Sequence, residues 1–302
     1  MVEPLIFIRH EPKKGNDRNS THRSLIFARE INQTVSNSDL TIGLTLSGGG
    51  ARGAAHIGVL KALLEAGVVP NRLVGVSSGA IVATLYATGM APDEMLKFVL
   101  ESSMLRVIKL GIPLTGLTSL DYLKERLAII WPDNSFEGLK YPLHIGVTNL
   151  NTAKQELVNT GPLHDILAAS CSIPFVFKPV EIDGYKYVDG GVIRNMPVEP
   201  LLHDTDFIIG SNLMPYGLLP PANINTVIDV VWRTFELSIM SNTIPGMDVC
   251  DIIIEPSMLN DCNIFNFTRL QDMHDLGYEH TCARMPEILN AIQLKRELLE
   301  AL

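Results

Sequence analysis

The stretch Gly75-Val76-Ser77-Ser78-Gly79 places a serine between two glycines, after a strand-like run and directly before the helix-like residues Ala80–Thr88. A chain that leaves a strand and at once enters a helix must turn sharply, and the residue at the turn takes a strained conformation with its side chain exposed. Gly75 and Gly79 let the neighbouring backbone pack closely. The free N–H groups of the following helix favour negative charge there. The pattern predicts a nucleophile elbow with Ser77 as the nucleophile.

A second glycine-rich segment, Ser47-Gly48-Gly49-Gly50-Ala51-Arg52-Gly53, lies upstream between the strand-like Ile42–Leu46 and the helix-like Ala54–Ala66. Backbone N–H groups in such a loop converge on one anion, with a helix N-terminus behind them. Two kinds of site fit this pattern. One is an oxyanion hole for acyl transfer. The other is a dinucleotide phosphate site, because the glycines of the loop satisfy G-x-G-x-x-G.

The residues that follow the loop separate these two kinds of site. A dinucleotide site requires an acidic residue about 20 positions further on, but Pro70–Gly75 contains no carboxylate and runs into the elbow. No Gly-Lys-Ser/Thr follows the glycines, which also excludes a Walker-type loop. The sequence therefore favours an oxyanion hole. We expect Arg52 either to orient this loop or to be a helix-surface charge. The expected oxyanion-hole residues are Gly48, Gly49, Gly50, Ala51, Arg52 and Gly53.

A serine nucleophile needs a neighbouring base, because its hydroxyl is weak at its ordinary pKa. None of the eight histidines lies in a loop typical of a catalytic turn. His56 falls inside the first predicted helix, and His274 and His280 fall in a late helical region. The stronger candidate is Asp189, which ends the β-rich run Tyr185–Asp189 and precedes two glycines. A structural turn aspartate would show the same local pattern.

Taken together, the glycine loop, the elbow and the later Asp189-Gly190-Gly191 resemble, in this order, the motifs of patatin-like phospholipases. The stretches Ala168–Val180 and Arg194–Pro197 resemble the segments that flank the aspartate in that family. The resemblance extends over roughly residues 41–256, which is about two thirds of the chain. Ser78 is a departure, since the family often has alanine at this position.

The resemblance implies a serine acyl hydrolase that cleaves carboxylic esters of lipids, of the phospholipase A or lysophospholipase type. Ser77 and Asp189 would then form a catalytic dyad that works through an acyl-enzyme intermediate, without cofactor or metal. A carboxylate with a pKa of about 3.9 is a weak base toward serine, so we expect partial desolvation to raise the pKa of Asp189. Two alternatives remain. One is a Ser-His-Asp esterase of the general α/β-hydrolase type, with His274 or His280 as base. The other is a catalytically inactive protein that binds lipid or nucleotide.

Strand-like and helix-like segments alternate along the chain, which predicts an α/β fold. We expect a three-layer sandwich with a mostly parallel central sheet and helices on both faces, as in patatin. Residues 41–302 would form one hydrolase domain with a C-terminal helical region, after an N-terminal extension at residues 1–40. The predicted strands are residues 42–46, 73–76, 142–148, 155–159, 185–188, 206–211 and 250–254. The predicted helices are residues 51–66, 78–88, 92–102, 119–130, 162–170, 195–202, 223–240 and 276–300.

Composition limits the partners of the protein. The formal net charge is −9, which argues against nucleic acid and against electrostatic docking on anionic lipid. No apolar run reaches the 18 or so residues of a membrane span. The four cysteines lack Cys-x-x-Cys spacing and predict reduced thiols in the cytoplasm. The sequence does not indicate an oligomeric state.

Peripheral contact with a membrane would therefore have to use apolar surface. The best candidate is a stripe on one face of the predicted helix in Ile224–Met240. Such a stripe usually packs on the domain's own core. The alternative is a lid or a wall of a substrate channel. The members of the stripe are Ile224, Val227, Ile228, Val231, Phe235 and Ile239.

Overall fold

The computed structural model describes residues 40–102, 120–215, 217 and 224–301, so the predicted extension at residues 1–40 lies outside it apart from Leu40. In chain order the strands are β1 (Ile42–Leu46), β2 (Arg72–Val76), β3 (Leu143–Asn149), β4 (Lys154–Val158), β5 (Val180–Ile182), β6 (Tyr185–Asp189), β7 (Phe207–Ser211) and β8 (Ile252–Ile254). The helices are α1 (Gly53–Glu65), α2 (Ser78–Ala87), α3 (Pro92–Glu101), α4 (Asp121–Ile130), α5 (Leu163–Ser170), α6 (Val227–Met247) and α7 (Leu270–Glu300). Short 3₁₀ segments lie at Gly50–Arg52, Gly190–Val192 and Ser257–Asp261.

The strands form one sheet with the order β5-β6-β3-β2-β1-β7-β8, and β4 pairs with β3 off this path. Pairings among β3, β2, β1, β7 and β8 are parallel. Those that involve β4, β5 or β6 are antiparallel. Every residue of the central strand β1 is buried, as expected for a parallel sheet covered on both faces. The predicted α/β fold, with a mostly parallel sheet flanked by helices, is confirmed.

The strand registers bring three loops to the same level of the sheet. Leu46 pairs with Gly75, so the chain leaves β1 and β2 side by side. Val76 pairs with Gly146 of β3, and the next residue of β3, Val147, pairs with Asp189 at the end of the antiparallel β6. The last residue of β6 therefore lies beside the turn that follows β2.

Apolar clusters line both faces of the sheet. Successive strand residues point to opposite faces, so Leu73 and Ile209 belong to the larger core while Val74 and Ile208 belong to a smaller one. Leu201 packs into the smaller cluster.

The segment around Leu201 is not the helix that the sequence predicted at residues 195–202. It forms bends and turns. Pro197 and Pro200 lie three residues apart and each lacks an N–H group, so an α-helical hydrogen-bond ladder cannot form across them. The prediction also omitted β5, a three-residue strand joined to β6 through Asp183 and Gly184, both at positive φ (51° and 81°), as a tight hairpin turn requires.

Four of the six members of the apolar stripe do not pack on the core of the domain. Val227 and Ile228 are 81% and 67% exposed, and Ile224 and Val231 are also exposed, whereas Phe235 and Ile239 are half-buried. The expectation of core packing is therefore wrong for the four exposed side chains, which lie in or just before the first turns of α6. Only Met240, Thr243 and Gly246, near the other end of α6, are buried.

Within the described residues, no helix combines the length and the apolar character needed to cross a bilayer. All four cysteines are free.

Candidate active site

Ser77 occupies the sharp turn between β2 and α2. Its backbone has φ 53° and ψ −126°, a conformation that costs energy for a residue with a side chain. Close backbone packing holds the turn in place. A Cβ atom on Gly79 would lie 2.3 Å from the carbonyl oxygen of Leu46 and 2.6 Å from that of Ser47, and one on Gly75 would lie 2.7 Å from the backbone of Ala80. Both glycines of the predicted elbow are therefore sterically required.

The Asp189 carboxylate accepts a hydrogen bond from the N–H of Gly191 at 2.8 Å. Asp189 is only 5% exposed. Burial disfavours the charged carboxylate and raises its pKa to about 6, although the nearby Ser77 hydroxyl and the Gly191 N–H favour the charged form and oppose this shift. A carboxylate with this pKa is a stronger base than an exposed aspartate and is still ionised at pH 7.

Hydrogen bonds within the glycine loop determine which of its N–H groups are available to a ligand. The N–H of Gly48 donates to Asn195 Oδ1 at 3.0 Å, and the N–H of Ala51 donates to the carbonyl of Ile264 at 2.7 Å. These two N–H groups already have protein acceptors, so the structure does not leave the predicted Ala51 donor free for an oxyanion.

Two other N–H groups of the loop also have acceptors within it. The N–H of Arg52 donates to the carbonyl of Gly49 at 3.2 Å, and the N–H of Gly53 donates to the carbonyls of Gly50 and Ala51. Among the described residues, the N–H groups of Gly49 and Gly50 have no protein acceptor. Gly50 has φ 58°, and a Cβ there would lie 2.4 Å from the Ile264 carbonyl oxygen, so its conformation and its surroundings both require glycine.

Arg52 orients the loop and is not a helix-surface charge. Its buried guanidinium donates to the carbonyl oxygens of Cys262 at 2.8 Å and Leu213 at 3.1 Å. Burial lowers its pKa, and the negative charge of Glu236 opposes this shift. Arg52 thus ties the glycine loop to two segments late in the chain.

Asn195 links the glycine loop to α6 and to the turn after Asp189. Its side-chain oxygen accepts from Gly48 N–H, and its Nδ2 donates to the Gly48 carbonyl at 3.3 Å and to Thr243 Oγ1 at 3.4 Å. Its own N–H donates to Asn242 Oδ1 at 2.9 Å. Asn242 Nδ2 in turn donates to the carbonyl of Gly191 at 2.8 Å.

We call Asn195, Asn242 and Thr243 the asparagine clamp. The sequence marked Arg194–Pro197 only as part of the family resemblance and assigned no role to Asn195. The signal available in the sequence was a polar residue two positions before a proline, shortly after the candidate aspartate. Its partners Asn242 and Thr243 lie some fifty residues further on and carry no recognisable motif.

His56 is buried between the ends of β1 and β7. Its Nε2 lies 2.8 Å from the carbonyl oxygen of Ser47, and its Nδ1 lies 2.8 Å from Ser211 Oγ. Because a carbonyl only accepts, Nε2 carries the hydrogen and Nδ1 accepts from the Ser211 hydroxyl. Burial lowers the pKa of His56 to about 4, so the ring is neutral at pH 7.

His274 and His280, the candidate bases of a triad, lie in α7. His274 Nδ1 is 2.8 Å from Asp275 Oδ1, and neither histidine lines the cavity that contains Ser77. Among the described residues, the carboxylate on which the Ser77 hydroxyl acts is that of Asp189, whose charged form it favours.

A cavity of about 90 Å³ opens beside Ser77. Most of its walls are aliphatic or aromatic. Ala54 and Ile57 of α1 face Ile81 and Val82 of α2, and Phe265 closes one side. The apolar lining suits the hydrocarbon part of a substrate. In the described part of the sequence no group of three or more His, Cys, Asp and Glu side chains is arranged to hold a metal ion.

A parallel sheet that carries a serine elbow and a glycine loop after adjacent strands is the arrangement of α/β serine hydrolases. The family model named "Patatin-like phospholipase" matches residues 44–202, which is more than half of the chain. The chain belongs to the patatin-like phospholipase family, a family of lipid acyl hydrolases.

Similar proteins include an uncharacterized NTE family protein of Mycobacterium bovis, 27% identical over 265 residues that cover 78% of this chain and 45% of that protein. Neuropathy target esterase sws of Drosophila melanogaster is 26% identical over 286 residues, covering 83% of this chain and 20% of the fly protein. The chain therefore spans less than half the length of these relatives. Among solved structures, human GIVD cytosolic phospholipase A2 matches with a TM-score of 0.49 and 10% identity, over 90% of this chain and 65% of that one.

The asparagine clamp makes Asn195 a positioning residue, and we predict that Asn195→Ala lowers kcat on an ester substrate by about 10- to 100-fold with little change in KM. The reason is that Gly48 loses its side-chain acceptor, so the adjacent free N–H groups are no longer held at the nucleophile. Steady-state kinetics, which measures kcat and KM separately, tests this expectation.

Asn134→Ala is the matched control, since it removes a side-chain acceptor from the backbone N–H of His164 (2.7 Å) in a turn outside the site. A folded Asn195→Ala enzyme with normal kcat would contradict the role of the clamp.

Because the charge of Asp189 is buried, we also predict that the natural protein and Asp189→Asn differ in stability and that this difference depends on pH. The folded-state pKa of about 6 lies above the ordinary value of 3.8, so the folded protein binds this proton more tightly than the unfolded chain. The contribution of Asp189 to stability then falls as pH rises from about 4 to about 6. We expect Asp189→Asn, a neutral isostere, to melt at a higher temperature than the natural protein at pH 8, with a smaller difference at pH 5. Thermal unfolding at the two pH values tests this, and an equal or lower melting temperature for the variant at pH 8 would show that the charge is not penalised.

Proposed function

We propose that the protein is a serine acyl hydrolase that cleaves carboxylic esters of lipids through a Ser77–Asp189 dyad. One observation carries this proposal: the buried Asp189 ends β6 beside the turn that holds Ser77, a strained elbow serine that lines a mainly apolar cavity. Membership of the patatin-like phospholipase family supports the same chemistry. The relative named as an esterase supports ester hydrolysis as well. We also propose that residues 41–302 act as one catalytic unit.

In the first half of the reaction, Asp189 accepts the proton of the Ser77 hydroxyl as its oxygen attacks the ester carbonyl. The oxyanion that forms takes hydrogen bonds from the N–H groups of Gly49 and Gly50. Collapse of this intermediate breaks the ester C–O bond, and the departing alcohol takes the proton from Asp189. The acyl group is then covalently attached to Ser77, with its chain in the apolar cavity.

In the second half, water attacks the acyl-enzyme carbonyl and gives its proton to Asp189. The same N–H groups hold the second oxyanion. Its collapse returns the proton to the Ser77 oxygen and releases the fatty acid. One carboxylate with a raised pKa therefore acts as base and then as acid in each half, so the chemistry needs no histidine.

The test of the dyad compares four proteins on p-nitrophenyl decanoate and on a fluorophosphonate probe. We expect the probe to label Ser77 in the natural protein and Ser77→Ala to be inactive. Asp189→Asn should be nearly as inactive as Ser77→Ala, because the two residues act as a unit. A His274→Gln/His280→Gln double variant should keep most of the activity. In the natural enzyme, kcat/KM should rise with pH through about 6, because Asp189 loses its proton there.

A triad would reverse this result. A loss of about 10⁴-fold in the folded double-histidine variant, or probe labelling at a serine other than Ser77, would contradict the dyad.

We further propose that the exposed apolar face of α6 rests on the surface of a zwitterionic lipid aggregate. We define the α6 face as Val227, Ile228, Val230 and Val231 of α6 together with Ile224 just before it, all of which are exposed. A contiguous exposed apolar surface of this kind is typical of an interaction site. The α6 face is next to the substrate cavity, because Trp232 packs edge-on against Phe265, with ring centroids 5.2 Å apart, and Phe265 lines the cavity.

Charge favours a zwitterionic surface over an anionic one. The net charge of the chain is −9, which repels anionic lipid. The cation within this part of α6, Arg233, is already paired with Glu236 at 3.0 Å and with the Gly217 carbonyl at 2.9 Å. Apolar burial is then the available source of binding energy, at about 25 cal/mol per Å².

Sedimentation with phosphatidylcholine vesicles tests the α6 face. We expect Val227→Asp/Ile228→Asp to weaken vesicle binding by at least 10-fold, because two charges would have to enter the apolar interface. The matched control is Leu294→Asp/Leu298→Asp, which changes two exposed leucines of α7 (57% and 58% exposed) and should bind like the natural protein. Equal binding by both double variants would contradict the proposal. So would a natural protein that dimerises through the α6 face and binds no vesicles.

A further inference from the structure

Ser78 follows the nucleophile directly and is the first residue of α2. It lines the substrate cavity together with Ile81 and Val82, which lie three and four positions further along the same helix and therefore on the same face. The wall that α2 presents to the cavity thus begins with Ser78, next to Ser77. A chain attached to Ser77 would pass Ser78 with its first carbons and reach Ile81 and Val82 later.

The hydroxyl of Ser78 has no hydrogen-bond partner within the described structure, although the residue is only 9% exposed. A buried hydroxyl without a partner costs about 1–3 kcal/mol, and alanine at this position would avoid that cost. Buried polar groups in proteins nearly always have a partner. A ligand in the cavity can therefore supply the partner that this hydroxyl lacks among the described residues.

The start of α1 packs directly against Ser78. A Cβ atom on Gly53 would lie 2.7 Å from Ser78 Cβ and 3.0 Å from its Oγ. The hydroxyl is therefore packed at a narrow point between α1 and α2. Rotation about the Cα–Cβ bond of a serine moves its oxygen between staggered positions, which lets the hydroxyl turn toward a ligand in the cavity.

We infer that Ser78 selects acyl groups with a hydroxyl or oxo substituent on the second or third carbon from the ester carbonyl. Its hydroxyl can donate to either substituent and can also accept from a hydroxyl. The remaining, mainly apolar walls accept the unsubstituted part of the chain. This inference rests on the proposed function, because it requires the acyl chain to be held at Ser77.

The test compares p-nitrophenyl esters of decanoic, 2-hydroxydecanoic and 3-hydroxydecanoic acid with the natural protein, Ser78→Ala and Ser102→Ala. Ser102 also lines the cavity and is buried, but its hydroxyl accepts from Arg126 Nε at 3.3 Å. We expect the natural protein to prefer at least one hydroxyacyl ester over decanoate in kcat/KM. Ser78→Ala should reduce that preference by about 3- to 10-fold, as expected for one neutral hydrogen bond, while Ser102→Ala keeps it.

Three results would overturn the inference: no preference in the natural protein, the same preference in folded Ser78→Ala, or an equal loss on all three esters in that variant. An equal loss would instead indicate that Ser78 supports the oxyanion. Complete absence of ester hydrolysis and of fluorophosphonate labelling in the natural protein would contradict the proposed function itself.

Discussion

The parallel pairing of β1 with β2 is the constraint on which the rest of the site depends. Because Leu46 pairs with Gly75, the glycine loop and the serine elbow leave the sheet at the same height and in contact. Gly79 then sits directly against the carbonyls of Leu46 and Ser47. A shift of one residue in this register would move the glycine loop away from Ser77, which Gly48 now touches so closely that a Cβ on it would lie 3.0 Å from Ser77 Cβ. The proposed chemistry thus relies on a backbone arrangement that many buried hydrogen bonds fix together.

Asp189 is brought beside the serine elbow by an antiparallel strand pairing. It ends a strand that runs antiparallel to β3, and β3 extends beyond the end of β2, so the last residue of β6 comes back to the level of the elbow. The asparagine clamp then joins the turn after Asp189 to Gly48 and to α6. One end of α6 therefore holds the site together, while its other end carries the exposed α6 face. The α6 face and two members of the asparagine clamp, Asn242 and Thr243, therefore lie toward opposite ends of a single helix.

Much of this could be predicted from the sequence, because the determinants are local. The elbow, the glycine loop and the Asp189 turn each depend on glycines at fixed positions, and the alternation of apolar segments gives the α/β class. Whether the first turns of α6 are buried or exposed could not be predicted, since the spacing of Val227, Ile228 and Val231 is the same for a helix that packs on a core and for one whose apolar face is exposed. The roles of Asn195 and Asn242 depend on contacts between segments distant in the chain. The same holds for the Ala51 N–H, whose acceptor Ile264 lies more than two hundred residues away.

The neutral ring of His56 provides the protein with a spectroscopic reporter. Its Nε2 hydrogen is held by the carbonyl of Ser47, the residue that precedes the glycine loop, and its other nitrogen accepts from Ser211 at the end of β7. A ring hydrogen buried in such a bond exchanges slowly with water and gives a resolved proton resonance in nuclear magnetic resonance spectra. The chemical shift of that resonance depends on the geometry of the bond to Ser47. Movement of the glycine loop when an inhibitor binds could then be followed in solution through a native side chain, without an added label.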